Sequence, residues 1–204
     1  MEKRRGFFKI CWDNLLSLIL LNLCFLFCSI LLVTIPAAYT ALCAAAQRMD
    51  REEAHPVKCF FDCFRREVLS ALPLGLLFML FPAGLLFGWL FYMQAAAGLF
   101  TLVLSLFCLI GAYLLFCAGQ LAFHIEAAVC LRTRDVLQDT CILLEQYPRL
   151  LFTWLAAAVF VPAVCALLLP YSLPISILLC FSLSALCSAR GVRLLIETEI
   201  IKEE

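Results

Sequence analysis

Three stretches of this chain contain no Asp, Glu, Lys or Arg: Asn14–Gln47, Val68–Phe123 and Leu150–Ala189, of 34, 56 and 40 residues. One membrane-crossing helix takes about 20 apolar residues, so each run is long enough to cross at least once. A soluble fold of 204 residues has no interior large enough to hide so much continuous apolar sequence. Composition agrees: the chain is 65% hydrophobic, with a mean hydropathy of +1.03, where soluble domains are about 45–50% apolar. The expected class is an all-α, polytopic helical membrane protein forming a single membrane domain.

The basic residues set the expected topology. All 15 fall outside the uncharged runs, in four clusters: Lys3 to Lys9, Arg48 to Arg66, Arg132 to Arg149, and Arg190 to Lys202. Basic residues flanking spans stay in the cytoplasm, so each run should leave and return, giving three hairpins with both termini inside. The second run breaks at Tyr92-Met93-Gln94 and the third at Pro170–Pro174, where proline cannot continue helical hydrogen bonding. The first should turn at Thr34–Ala38, around Pro36. Its returning arm, Ala37–Gln47, is only about 16 Å long as a helix, against a core of about 30 Å. It is therefore expected to be re-entrant, or a short inner helix whose small residues pack inside the bundle.

The resulting expectation is five full spans plus that short inner helix. The spans fall at roughly 14–35, 68–91, 98–123, 150–169 and 173–190, with the inner helix at roughly 37–50. Pro36, Ala41 and Ala45 are the expected packing positions on the inner arm, and Gly84 and Gly88 form a GxxxG pair that permits close helix contact. The basic N-terminus and Ala44-Ala45-Ala46 have the look of a cleaved leader. The apolar stretch is about twice the usual length of a leader's core, so a retained first helix is expected.

Both charged loops carry helical periodicity. Val57, Phe60, Phe61, Phe64 and Val68 lie on one face, opposite Lys58, Asp62, Arg65 and Arg66. This predicts an amphipathic helix at roughly 57–67 that lies at the headgroup level or docks a partner through Phe60, Phe61, Phe64, Arg65 and Arg66. Leu137, Cys141, Leu144 and Pro148 repeat the spacing, predicting a second interfacial helix at roughly 134–148. Each precedes a span carrying a Pro-Ala pair, Pro82-Ala83 and Pro162-Ala163. That order fits a weak internal duplication, or merely the common placement of amphipathic helices before spans.

These residues also carry a likeness. "NLCFLFCSILLVTIPAAYTAL" resembles the opening of the YesL-like bacterial membrane proteins, a family of unknown function, with Asn22, Leu23, Thr34, Ile35, Pro36, Ala37, Ala41 and Leu42 in matching places. "CFFDCFRREVLSAL" and "LLEQYPRLLF" resemble that family's two loop helices. The chain lacks the family's glycine before Pro36 and has Glu67 where asparagine is common. The resemblance implies a multi-pass protein of the bacterial inner membrane, frequently encoded beside carbohydrate uptake systems, with no established activity.

Little chemistry is on offer. Asp, Glu, Lys and Arg are absent from the uncharged runs, whereas ion-coupled transporters and proton relays place such groups at mid-membrane. HExxH, a phosphate-binding glycine loop and Gly-x-Ser-x-Gly are all absent, so an enzyme is not expected. Asn22, Gln120, His124 and Glu126 read functionally as a polar vestibule for a neutral solute. Read structurally, Asn22 is interhelical glue and His124 an interfacial residue. Of the 13 cysteines most sit inside spans, where cysteine acts as a small apolar side chain. His55, Cys59 and Cys63 are spaced four apart, but Pro56 separates the histidine and no fourth ligand is evident. No metal or cofactor is expected. The first functional expectation is an accessory or regulatory subunit serving carbohydrate uptake, its partners the lipid bilayer and transporter subunits, with no nucleic acid. The alternative is a small-solute permease or channel.

Overall fold

The computed structural model describes residues 7–51, 53, 55–94, 98–129, 133–147, 153, 156–158, 160–164 and 179–195. Among these the regular structure is entirely helical. Among the described residues two segments are long and apolar enough to cross a membrane, Leu72–Gln94 (23 residues, mean hydropathy 2.1) and Leu99–Ala128 (30 residues, mean hydropathy 2.5). Their side chains are mostly turned outward, as with Leu99, Phe100 and Phe107. A soluble core helix would hide such residues, and an outward surface this apolar needs lipid around it. The chain is a helical membrane protein.

The first run is broken earlier than the sequence suggests. Helix α1 (Phe7–Asp13) leads into α2 (Leu15–Cys28), and Leu18 still bonds back to the Asn14 carbonyl at 2.9 Å. The expected span over 14–35 stops at Cys28. There the Thr34 hydroxyl donates to the Cys28 and Leu31 carbonyls at 2.5 and 2.7 Å, taking up helix-end acceptors that the next turn would have used. The turn thus lies at Ser29–Thr34 rather than Thr34–Ala38. Pro36 is already in the first turn of α3 (Ile35–Asp50), where its missing N–H has no partner to lose.

Helix α3 is the axle of the bundle. It packs against α2, α4 (Pro56–Glu67), α5 (Leu72–Gly75), α7 (Leu99–Val129) and α9 (Phe181–Leu195). The residues from Pro36 to Ala46 are buried without a gap. Ala37, Ala38, Ala41 and Ala45 help make that possible, because small side chains let neighbouring helices approach closely, while Tyr39 and Leu42 fill the remaining space. At 16 residues it is about 24 Å long.

The second run forms a hairpin. After α5 a π-helical segment, Leu76–Leu80, leads into α6 (Phe81–Gln94), which pairs extensively with α7. Pro82 removes one backbone donor and crowds the preceding turn, and a wider π turn is a standard way to absorb that. Helix α7 runs on to Val129, past the expected end at 123. Helix α8 (Thr133–Gln146) folds back along it.

In both loop helices the buried face is shifted from the one that periodicity predicts, though Phe60, Val57 and Phe64 of α4 and Leu137 and Leu144 of α8 still pack inward. In α4 the buried residues are Cys59, Phe60, Cys63 and Glu67, while Phe61 faces outward. In α8 they are Val136 and Thr140, with Leu143, Leu144 and Tyr147 packed alongside, and Cys141 is exposed. Each helix settles against a neighbouring helix, whose shape decides which side is covered. Pro148 and most of the expected span 150–169 lie outside the described residues, as does the first part of 173–190. Helix α9 continues beyond 190, to Leu195.

Candidate functional site

Helix α3 alternates its alanines with polar side chains at Tyr39, Thr40, Gln47 and Asp50, and each finds a partner across the bundle. Tyr39 donates to Gln120 Oε1 at 2.5 Å. Thr40 donates to Glu126 Oε2 at 3.5 Å. Gln47 Nε2 lies 3.2 Å from His124 Nδ1 and 2.8 Å from the His124 carbonyl. His124 Nε2 in turn lies 2.6 Å from Ser188 Oγ on α9. Since the Gln47 amide can only donate, Nδ1 accepts and Nε2 carries the proton given to Ser188. The Ser188 hydroxyl in turn donates to the Ala185 carbonyl at 3.0 Å. The chain of donors closes with a neutral imidazole.

Gln120, His124 and Glu126 therefore do not line an open vestibule. All three are buried, and each is bonded to another helix. Asn22 is far from them in role: its Oδ1 accepts from the backbone amides of Phe181 and Ser182, both at 3.0 Å. It ties α2 to the start of α9 by taking two of the amide donors that a helix start leaves over.

At the far end of α3 the chemistry becomes ionic. Asp50, 1% exposed, bonds Arg190 through Oδ1 at 3.0 Å and Arg193 through Oδ2 at 3.3 Å, and the Arg193 guanidinium also reaches the Asp50 carbonyl. Beside this clasp a cavity of about 360 Å³ opens between α3, α4 and the end of α7. Arg48, Arg51 and Arg66 line it with Glu53 and Asp62, over a wall of Gln47, Cys59 and Cys63. Arg66 is held by buried Glu67 at 2.8 Å, which Ser70 also bonds. Arg48 reaches Glu53 only loosely, at 3.7 Å. Burial pushes the Cys59 thiol above its ordinary range, although Arg48 pulls the other way. It stands in the wall as a neutral thiol rather than a nucleophile.

The other sequence candidates are placed differently. Phe60 is wholly buried with Phe64 stacked on it at 6.2 Å, so Phe60 is a core residue and not a docking residue. Phe61, 41% exposed, keeps an outward face, as do Arg65 and Arg66. The GxxxG pair is not a close seam: a Cβ on Gly84 would meet nothing, and one on Gly88 would be in ordinary contact with Cys108. The tight glycines are elsewhere. A Cβ on Gly75 would overlap the Pro36 ring, and one on Gly119 would lie 2.8 Å from Phe78 Cβ. Ala41 and Ala45 are fully buried and Pro36 is buried against Gly75.

Sequence reasoning missed Gln47, Ser188, the Asp50 clasp and the cavity arginines as a set. One signal was available: Thr40, Gln47 and Asp50 recur at seven and three residues, marking one side of an alanine-rich helix.

Residues 18–89 match a family described as "Protein of unknown function, DUF624", and the YesL-like likeness of the sequence is consistent with that match. No curated protein and no solved structure matches the chain.

Proposed function

We propose that this chain is an accessory or regulatory membrane subunit that works at the charged end of its helix bundle instead of carrying solute through it. One observation carries the reading: Tyr39, Thr40 and Gln47 of α3 bond Gln120, Glu126 and His124 of α7 inside the bundle, while among the described residues a polar cavity lies at its charged end. A conduction path needs polar groups turned toward a continuous aqueous lumen. A buried, internally matched network fixes helix positions instead.

In this reading the protein sits in the bacterial inner membrane with five crossings, α3 as the short inner helix, and both termini on the cytoplasmic side. The distribution of the 15 basic residues supports that orientation, and puts the cavity in the cytoplasm. The resemblance favours a carbohydrate uptake system as the partner. No catalytic role is assigned.

The test has two arms. Purification from native membranes in mild detergent should recover transporter subunits in fixed ratio with the chain. Proteoliposomes of the pure chain should take up a neutral sugar no faster than empty vesicles. Saturable uptake abolished by Gln120→Leu would overturn the reading in favour of a permease. Cysteine labelling at Lys3, Glu53, Asp135 and Glu204 checks the orientation, and outside labelling at Glu53 would reverse it.

A further inference from the structure

We infer that the cavity between α3, α4 and the end of α7 is a binding site for a small hydroxyl-bearing phosphate ester, of the glycerophosphate kind. The inference goes beyond the subunit reading and holds for a permease equally well. Three guanidinium groups line one void of about 360 Å³, more cationic charge than the Arg48–Glu53 and Arg66–Glu67 pairs alone would gather there. That volume is at the small end of ligand pockets, which run from about 300 Å³ upward. It suits a small polar molecule.

The lining specifies the chemistry. Arginine presents planar forks of donors that match phosphate oxygens in pairs. Arg48 and Arg51 come from the end of α3, and Arg66 from the last turn of α4. They approach the void from two elements, as a site for a compact dianion requires. A carboxylate holds one of them in place, since Arg66 is bonded to Glu67. The Arg48–Glu53 pair is loose and half-exposed, so an incoming anion can displace it at little cost. Glu53, Asp62 and the Gln47 carbonyl are acceptors. They would repel a bare anion but suit the hydroxyl groups of a polyol attached to it. Cations on one part of the wall and acceptors on another thus select a phosphate ester with free hydroxyls over either inorganic phosphate or a sugar alone. Ala127 and Ala128 close the α7 side without filling the space.

Glycerophosphate chemistry reaches such a site from two sources, a soluble ester or the headgroup of an anionic lipid. The experiment uses the full-length protein in a neutral detergent, with calorimetric titration of glycerol 3-phosphate against salt-matched chloride. A parallel titration uses phosphatidylglycerol in mixed micelles. Saturable binding is expected, and Arg48→Gln or Arg51→Gln should each weaken it about tenfold, the equivalent of one charge-assisted hydrogen bond. Both arginines are exposed, so these variants should keep the parent's helicity and melting temperature. Arg65→Gln removes an equal charge from α4 outside the cavity and should leave affinity unchanged. Binding of the soluble ester assigns the site to a free metabolite, and binding of the lipid alone assigns it to a headgroup. Failure of both, or equal weakening by Arg65→Gln, overturns the inference.

Discussion

Helices α3 and α7 are cut from similarly uncharged sequence, yet they occupy opposite situations. In α3 every residue from Pro36 to Ala46 is buried. In α7 the first half, including Leu99, Phe100, Leu102, Val103 and Phe107, is turned outward. What separates them is side-chain size. Lipid tails are as apolar as leucine, so hydrophobicity does not draw a helix inward in a membrane; close packing and hydrogen bonds do. An alanine-rich helix with a polar side chain every turn or two offers both. A helix of Leu and Phe gains as much from lipid as from protein, and stays outside.

Three comparisons of enclosed with outward-facing positions probe that contrast. The largest effect belongs to the aromatic pair: Phe60→Ala should cost about 3–5 kcal/mol, as for a fully buried ring, whereas Phe107→Ala on the outward face of α7 should cost under about 1 kcal/mol. Reversible unfolding in mixed detergent micelles measures both. Equal losses would mean that inside and outside are not distinguished as described.

A smaller effect is expected from adding bulk. Ala41→Leu or Ala45→Leu places a large side chain where exposure is zero and should cost about 1–3 kcal/mol by overpacking. Leu102→Ile on α7 should be close to neutral. If thermal-shift measurements find leucine tolerated at both alanines, α3 is not enclosed.

The smallest effects carry a difference in sign. Gly119→Ala pushes a methyl against Phe78 at 2.8 Å and should destabilise by about 1 kcal/mol. Gly84→Ala meets open space and should stabilise its helix by up to about 1 kcal/mol. A loss at Gly84 comparable to that at Gly119 would restore the GxxxG pair as a packing seam.

The glycines show how far the sequence can be read. GxxxG at Gly84 and Gly88 is a visible spacing, whereas Gly75 and Gly119 have no pattern in common. They matter because Pro36 and Phe78, distant in the chain, lie against them. The loop helices teach the same lesson. Periodicity found α4 and α8 but missed the centre of each buried face by about one residue, enough to turn Phe61 out and Glu67 in. Among the candidate polar residues, types and positions were legible; their partners Tyr39, Gln47 and Ser188 were not.

By itself the sequence determined the membrane class, the helical state of the backbone, and the positions of the charged ends. Each follows from local physics: apolar length, the backbone's need for hydrogen bonds in lipid, and the cost of burying charge. Only the tertiary structure decided that Asn22 holds the start of α9, that Gln47 and Ser188 bracket His124, and that three arginines ring one cavity. The reason is rotational. A helix apolar all around has no amphipathic face to set its angle about its own axis, so the direction of each polar side chain is undetermined until neighbouring helices fit against it.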